Sequence, residues 1–445
     1  MLLISPEITF VNHASVIFSY KKIRLITDPW IFGSAFNNSW ELISESKMCI
    51  EDFKEISHIW FSHEHPDHFN LTVLNSIPKE IREEITVLFQ DTLDHRVAKK
   101  CRQLGFSVIE MKHNKFYKLD DDFQIKCRPY LLYDSLLYLE IGNKKILNLN
   151  DCGIDSIRQA QYIQKITGNV DLLLTQFGYA AHIGDPEDVQ LRKETSKEKL
   201  IRIKIQSQVF NAKYVIPFAS FVRFSHEDNF YMNDEVNKIR NVEEFIKKQT
   251  KSIPVILYPG YKWNLNEEND NNSAIELYEN DFAIPHVPEK DSPKIPFEDI
   301  QLASNNYITN IRNRNNWTLI KFAHSISFLK SAKIYLKDLE LPATFDLING
   351  LNESNFLKND ADIILDSDSL AFAFKFDYGA DTLLANARFR KSGGRTMIFF
   401  RQFMIGTLNN NGRTFPLGIV GFLLRERSMW KSLFIEAILG KYDFE

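Results

Sequence analysis

Three histidines and an aspartate fall within six consecutive positions, His63-Glu64-His65-Pro66-Asp67-His68, directly after an apolar run from Ile56 to Ser62. Imidazole nitrogen and carboxylate oxygen are ligands for zinc, iron and manganese. Alternate residues of an extended segment point to one side, so His63 and His65 can face one cation. A loop bending after Pro66 would turn Asp67 and His68 toward a second cation. Two cations so placed suit either hydrolysis or oxygen activation. A lone histidine is usually a satisfied surface or core residue, whereas this density at a strand end reads as a metal site.

The elements that must position this cluster can be read from periodicity. Alternating runs at Ile8 to Val11, Ser15 to Tyr20 and Ile23 to Thr27 predict an opening β-meander. Strand-like runs at Ile85 to Gln90 and Phe106 to Met111 then alternate with helical segments near Leu71 to Ile77 and Asp94 to Leu104. Consecutive strands return between Lys115 and Leu149, followed by buried strands at Val170 to Thr175 and Tyr214 to Phe218. Thr195 to Asn211 and Glu235 to Lys248 read as solvated amphipathic helices. Against this frame, Asp28 before Pro29 is expected to accept the second ring N–H of a ligand histidine, a turn aspartate being the alternative. His13, closing the first strand, faces either the same pocket or the core. Trp30, Phe32 and Phe36 supply either an apolar wall over the cations or ordinary core.

The string at His63, His65, Asp67 and His68 resembles the signature of the metallo-β-lactamase superfamily, in which these residues bind two metals joined by a bridging aspartate and later histidines. The resemblance assigns the bridging role to Asp151, in Leu147-Asn148-Leu149-Asn150-Asp151-Cys152, with a helix N-cap before Ile154 as the alternative. It assigns the last ligand to His226, after Pro217-Phe218-Ala219, with a solvent-facing loop histidine as the alternative. The fold implied is an α/β metallo-β-lactamase-like αββα sandwich. Asn12-His13-Ala14-Ser15, Thr27 to Phe36, Lys145 to Asn148 with Asp151-Cys152, and Ser225-His226 are similar, piecemeal, to the metallo-β-lactamase-like part of the CMP-N-acetylneuraminate hydroxylase family. That resemblance implies an iron-dependent monooxygenase acting on an N-acylated or nucleotide-linked sugar. The family's electrons pass through a Rieske cluster, but no cysteine here is followed by histidine in CxH or CxxH spacing. A separate ferredoxin or reductase is then required. The family also expects a histidine just before Asp134, where Arg128 to Tyr133 has none. Tyr130 falls near that position as a pocket-lining residue or a ligand, and His182 is a candidate replacement ligand or substrate contact.

Between Asn264 and Ile300 the composition changes to a polar run, Asn266 to Asn272, and four prolines, Pro285, Pro288, Pro293 and Pro296. The expected organisation is a metal-binding catalytic domain at 1–264, a linker at 265–299 and a smaller α+β domain at 300–445. In the last, Asp362 to Leu370 and Tyr378 to Phe389 resemble sterol-carrier-protein-like modules, though a docking or dimerisation domain is the preferred reading. Leu417 to Leu424 with Met429 to Leu439 reads as a packing helix, with a membrane-surface helix as the alternative. Lys+Arg 54 against Asp+Glu 58 gives a net charge of -4, which disfavours nucleic acid as a partner. Four dispersed cysteines and the absence of a long apolar run suggest a cytoplasmic protein without a membrane span. The expectation is therefore an enzyme with two divalent metal ions, iron favoured over zinc, and a small-molecule substrate. Asp67 and Asp151 are the catalytic candidates. Hydrolysis of a phosphodiester, lactone or amide is the second reading, and a degenerate binding scaffold the third.

Overall fold

A computed structural model describes residues 5–131, 133–290, 292–391 and 395–425. Two seven-stranded sheets face each other. The first runs in the order Lys262–Asn264, Glu7–Asn12, Ser15–Tyr20, Ile23–Thr27, His58–Trp60, Thr86–Gln90 and Ser107–Met111. It is antiparallel through the opening meander and parallel from Ile23–Thr27 onward. The second runs Ile253–Pro254, Tyr214–Phe218, Leu172–Gln176, Lys144–Asn148, Asp134–Ile141, Phe123–Tyr130 and Phe116–Asp120. Its first four strands are parallel and its last four antiparallel.

One apolar core fills the space between the sheets, joining Phe10, Phe18 and Trp60 from one to Ile125, Leu137 and Leu173 from the other. Leu172, Leu173 and Leu174 are all buried, because helices cover the outer face of this parallel segment and leave no side for water. Val73, Leu74, Val97 and Cys101 from the helices Leu71–Ser76 and Arg96–Leu104 cover the first sheet. The result is an α/β sandwich of the αββα kind. Metal-ligand candidates sit where strands of both sheets end, at Asn12, Thr27, Trp60 and Asn148.

Two expectations change. The helix Val189–Val209 is not a solvated amphipathic helix: Arg192, Ser196, Arg202 and Gln206 are buried on its inward face. Hydrophobic periodicity missed this because the inward stripe is polar. The segment expected as a linker carries the helix Asn271–Ala283, started by the Asp270 side chain accepting from the Ser273 N–H. Tyr278 of that helix is fully buried and stacks on Phe221 at 4.2 Å. Beyond it, Glu289 exchanges backbone hydrogen bonds with Ser225 and Glu227, so this stretch is tied to the first body.

The smaller C-terminal region holds a five-stranded sheet ordered Gly350–Glu353, Leu341–Asp346, Ala332–Leu336, Ile363–Leu365 and Phe389–Lys391. Helices Phe297–Arg314, Ser367–Lys375 and Gly379–Asn386 pack around its own core. The stretch from Tyr378 to Arg388 meets the strand-end face of the sandwich. Tyr378 Oη donates to Glu64, Asn386 Nδ2 to the Phe36 carbonyl at 3.4 Å, and Arg388 Nη1 to the Asn37 carbonyl at 3.3 Å. In the helix Leu417–Arg425, Leu417, Val420 and Leu424 are exposed, while Met429 to Leu439 lies outside the described residues. No described helix is long and apolar enough to cross a membrane.

Candidate metal centre

Asp28 is the hub. Its carboxylate is completely buried, yet it accepts from the Ser62 N–H at 2.8 Å, the Ser62 hydroxyl at 2.8 Å and the Asn150 amide, and it lies 3.1 Å from His68 Nδ1. The strand Ile23–Thr27 delivers it beside the parallel strand His58–Trp60, and its own N–H bonds the Trp60 carbonyl at 3.0 Å. His13, Asp28 and Asn150 take left-handed φ values of 39°, 38° and 49°. Such conformations are costly for residues with side chains, and they collect here, where chain reversals at strand ends turn side chains inward.

With Nδ1 held by Asp28, His68 directs Nε2 into a shared space, 3.2 Å from Asp67 Oδ2 and 3.3 Å from Asp151 Oδ2. His13 Nε2 approaches Asp67 Oδ2 at 3.4 Å. His63 Nε2 and His65 Nδ1 are 2.9 Å apart, and the Asp134 carboxyl stands 3.9 Å from His63 Nε2. Two groups result, His13-Asp67-His68 and His63-His68-Asp151, each with ligand atoms within 4.8 Å of one another. Buried Nε2 atoms of His13, His65 and His68 and Oδ1 of Asp67 have no hydrogen bond among the described residues. Buried lone pairs without partners are costly, so convergent ones fit cations that would accept them. This donor set fits two divalent metal ions.

In the metal-free site His68 is protonated, and a bound cation would displace the proton from its Nε2. Burial opposes charge on both members of the Asp67 and His68 pair, but their mutual attraction wins: it holds Asp67 well below the carboxylate range, and with Asp151 and Asp28 it lifts His68 well above 6.5. Burial pushes His63 well down, helped by His68 and His65, so it is neutral and able to coordinate. Burial, then Asp151, raises Asp134 to about 8.

A cavity of about 210 Å³ opens over these groups, lined by His63, His65, Asp67, Asp134, Asp151 and Lys199 among others. Phe36, Trp40 and Ala385 add apolar surface to its wall. Trp30 packs edge-on against His13 at 5.6 Å, while Phe32 is exposed and lines a separate depression of about 840 Å³ that shares no residue with the cavity. Asp151 is not a helix cap: Ser156 caps Ile157–Thr167, and Gln176 Nε2 donates to Asp151 Oδ1 at 3.2 Å.

Three expected positions lie elsewhere. His226 belongs to neither ligand group. It is buried, with Nδ1 accepting from the Asp228 N–H at 3.2 Å and Nε2 3.1 Å from Ser292 Oγ, so both nitrogens are engaged. Tyr130 is neither ligand nor pocket lining: its hydroxyl donates to the Gly153 carbonyl at 2.7 Å, and burial pushes its phenol well above 10. Its cross-strand partner Asp134, with Tyr133 from the connecting turn, lines the cavity instead. His182 stacks on Phe389 at 4.2 Å and pairs with Asp185 at 3.5 Å, leaving Ala180 and Ala181 to line the cavity. Sequence reasoning overlooked Asp134, Gln176 and Lys199. Asp134 alone left a signal, occupying the strand start where a histidine was sought.

Residues 7–134 match the family model described as Beta-lactamase superfamily domain. The Cytidine monophosphate-N-acetylneuraminic acid hydroxylase of Danio rerio is 24% identical over 263 residues, 54% of this chain and 43% of the relative. That of Pongo pygmaeus is 23% identical over 276 residues, 57% of this chain and 45% of the relative. The chain therefore spans less than half the length of either. Among solved structures, CmlA, a diiron beta-hydroxylase from Streptomyces venezuelae, overlaps with a TM-score of 0.41 at 13% identity, covering 59% of this chain and 54% of its own. At that score the overlap bears on neither reaction nor substrate. The chain carries a metallo-β-lactamase-fold domain with the ligand clusters of a metal-dependent enzyme, weakly similar in sequence to the CMP-N-acetylneuraminate hydroxylases.

Proposed function

We propose that this protein is an iron-dependent dinuclear monooxygenase acting on an N-acylated or nucleotide-linked sugar, with electrons supplied by a separate ferredoxin or reductase. The observation that carries the metal assignment is the pair of groups His13-Asp67-His68 and His63-His68-Asp151, which meet at His68. The substrate class rests on the sequence similarity alone. In this reading His13, Asp67 and His68 would hold one cation, and His63 and Asp151, with His65 2.9 Å from His63, the other. Residues 1–264, with the helix Asn271–Ala283 packed on them, form the catalytic domain, and residues 300–445 a docking domain whose Ala385 closes part of the cavity wall.

Two iron ions held this way supply Lewis acidity and a route for electrons to O₂. The net change is a C–H bond, O₂, two electrons and two protons giving a C–OH bond and water. The chain's own residues set the conditions. Asp28 keeps the proton on His68 Nδ1 and directs Nε2 to the cation, Gln176 orients Asp151, and Phe36 and Trp40 give the cavity an apolar wall. Asp134, with its pKa raised to about 8 before metal is bound, is an available proton carrier beside the ligands.

The cavity of about 210 Å³ is smaller than the roughly 300–1,000 Å³ that drug-sized ligands occupy, so it would take the reacting end of a nucleotide sugar and not the whole molecule. Elemental analysis, with O₂ uptake in the presence of CMP-N-acetylneuraminate and a chemical reductant, tests the proposal. Iron at two ions per chain with uptake matched to hydroxylated product is expected. Zinc occupancy with phosphodiester or lactone turnover and no O₂ uptake would replace it by the hydrolase reading.

A further inference from the structure

The helix Val189–Val209 turns a polar stripe toward the protein: Arg192, Ser196, Lys199, Arg202 and Gln206 recur at intervals of three and four residues, one face of an α-helix. Four of the five have partners. Arg192 forks onto Asp234 at 2.8 and 2.7 Å, and Ser196 donates to the Glu235 carbonyl. Arg202 pairs with Asp155 and donates to Gln176 Oε1 at 3.2 Å. Gln206 donates to the Ile154 carbonyl at 3.0 Å and accepts from Thr175 at 2.6 Å.

Lys199 is the exception. It has no hydrogen bond or ion pair among the described residues, yet it is only partly exposed and lines the cavity with His63, His65, Asp67, Asp151 and Gln176. Carboxylates nearby are already committed: Asp155 to Arg202, and Asp151 to His68 and Gln176. Withdrawing an ammonium from water without a counter-charge is unfavourable. Burial, with Arg202 next, accordingly depresses the Lys199 pKa to about 7. Arg202, clamped at both ends, is not available to a ligand, whereas the flexible four-carbon stem of Lys199 can reach one.

We propose that Lys199 is the binding residue for an oxyanion of the substrate, a phosphate or carboxylate, and holds it on its own side of the cavity. This rests on the reading of the cavity as the dinuclear site. The anion supplies the missing counter-charge, and its recognition fixes the distance of the reacting carbon from the ligand cluster.

Calorimetric titration of the full chain with inorganic phosphate, and separately with acetate, tests it in wild type, Lys199→Met and Lys199→Arg, each in metal-loaded and metal-free form. Expected is at least a tenfold weaker Kd for one of the two anions in Lys199→Met, near-wild-type affinity in Lys199→Arg, and unchanged metal content in both. Which anion responds distinguishes phosphate from carboxylate. Equal affinities in wild type and Lys199→Met for both anions would overturn the assignment, and Lys199→Gln serves as a second neutral variant if the Met protein does not fold. Wild-type protein that holds less than one metal ion per chain would sink the dinuclear reading instead, while the metal-free titrations still decide the role of Lys199.

Discussion

Two histidine-bearing loops, residues 62–70 and 225–233, each follow a strand and each fully bury a histidine, His68 at 0% and His226 at 2% exposure. They differ in what has claimed the ring nitrogens. In the second loop the Asp228 N–H and Ser292 occupy both nitrogens of His226, and Asn229 donates to the Ser39 and Asn386 carbonyls. Asp228 also pairs with Lys337, so this loop fastens the C-terminal region to the sandwich. In the first loop Asp28 takes only His68 Nδ1, and Nε2 is left facing Asp67 and Asp151. Burial alone does not make a ligand. A spare lone pair aimed into space shared with others does.

The comparison breaks most severely at His68, which belongs to both ligand groups. His68→Ala is expected to leave less than one metal ion per chain and no detectable turnover, read by elemental analysis, with circular dichroism unchanged. Retention of two ions would dissolve the distinction between the loops. Asp28→Asn is the next largest. It weakens the acceptor that orients His68, and metal affinity should fall by about 10- to 100-fold, as for other orienting partners, in a chelator competition assay.

The metal-free protein should show a pH signature confined to the first loop's neighbourhood. Asp134, at about 8, binds its proton more tightly folded than unfolded, so its contribution to stability is lost as pH rises through that value. His68, also raised, acts in the same direction. The lowered histidines, His63 and His65, act oppositely but only as pH falls below about 6.5. Because Lys199, depressed to about 7, acts oppositely above that value, the readout is the urea midpoint of metal-free wild type minus that of Asp134→Asn, which should fall between about pH 4 and 8 and level off above. A difference that does not fall with pH would contradict the buried, protonated state of Asp134. The smallest effect is expected in the other loop. His226→Ala should lower stability by about 1–3 kcal/mol, the cost of leaving buried partners unpaired, with metal content untouched. Metal loss in that variant would return His226 to the ligand set.

Several elements were readable in advance because their signals are local. Ser15–Tyr20, Ile23–Thr27 and Tyr214–Phe218 match their apolar runs, and the cluster from His63 to His68 announces itself by density. The helix Val189–Val209 was misread because its inward face is made of arginine, serine and glutamine, whose partners come from Asp155, Gln176 and Asp234, far away in the chain or on other elements. Tyr130 was misplaced for a related reason. Its hydroxyl is claimed by the Gly153 carbonyl after another strand, and no pattern of residue types records that contact.

By itself the sequence determined the strand pattern, the ligand-rich loop after His58–Trp60 and the residue types available for coordination. Only the tertiary structure decided that His13 and Asp134 stand beside that loop while His226 does not. The physical reason is that coordination depends on which nitrogens and oxygens remain unclaimed after folding, and the claimants arrive from strand ends brought together by two facing sheets.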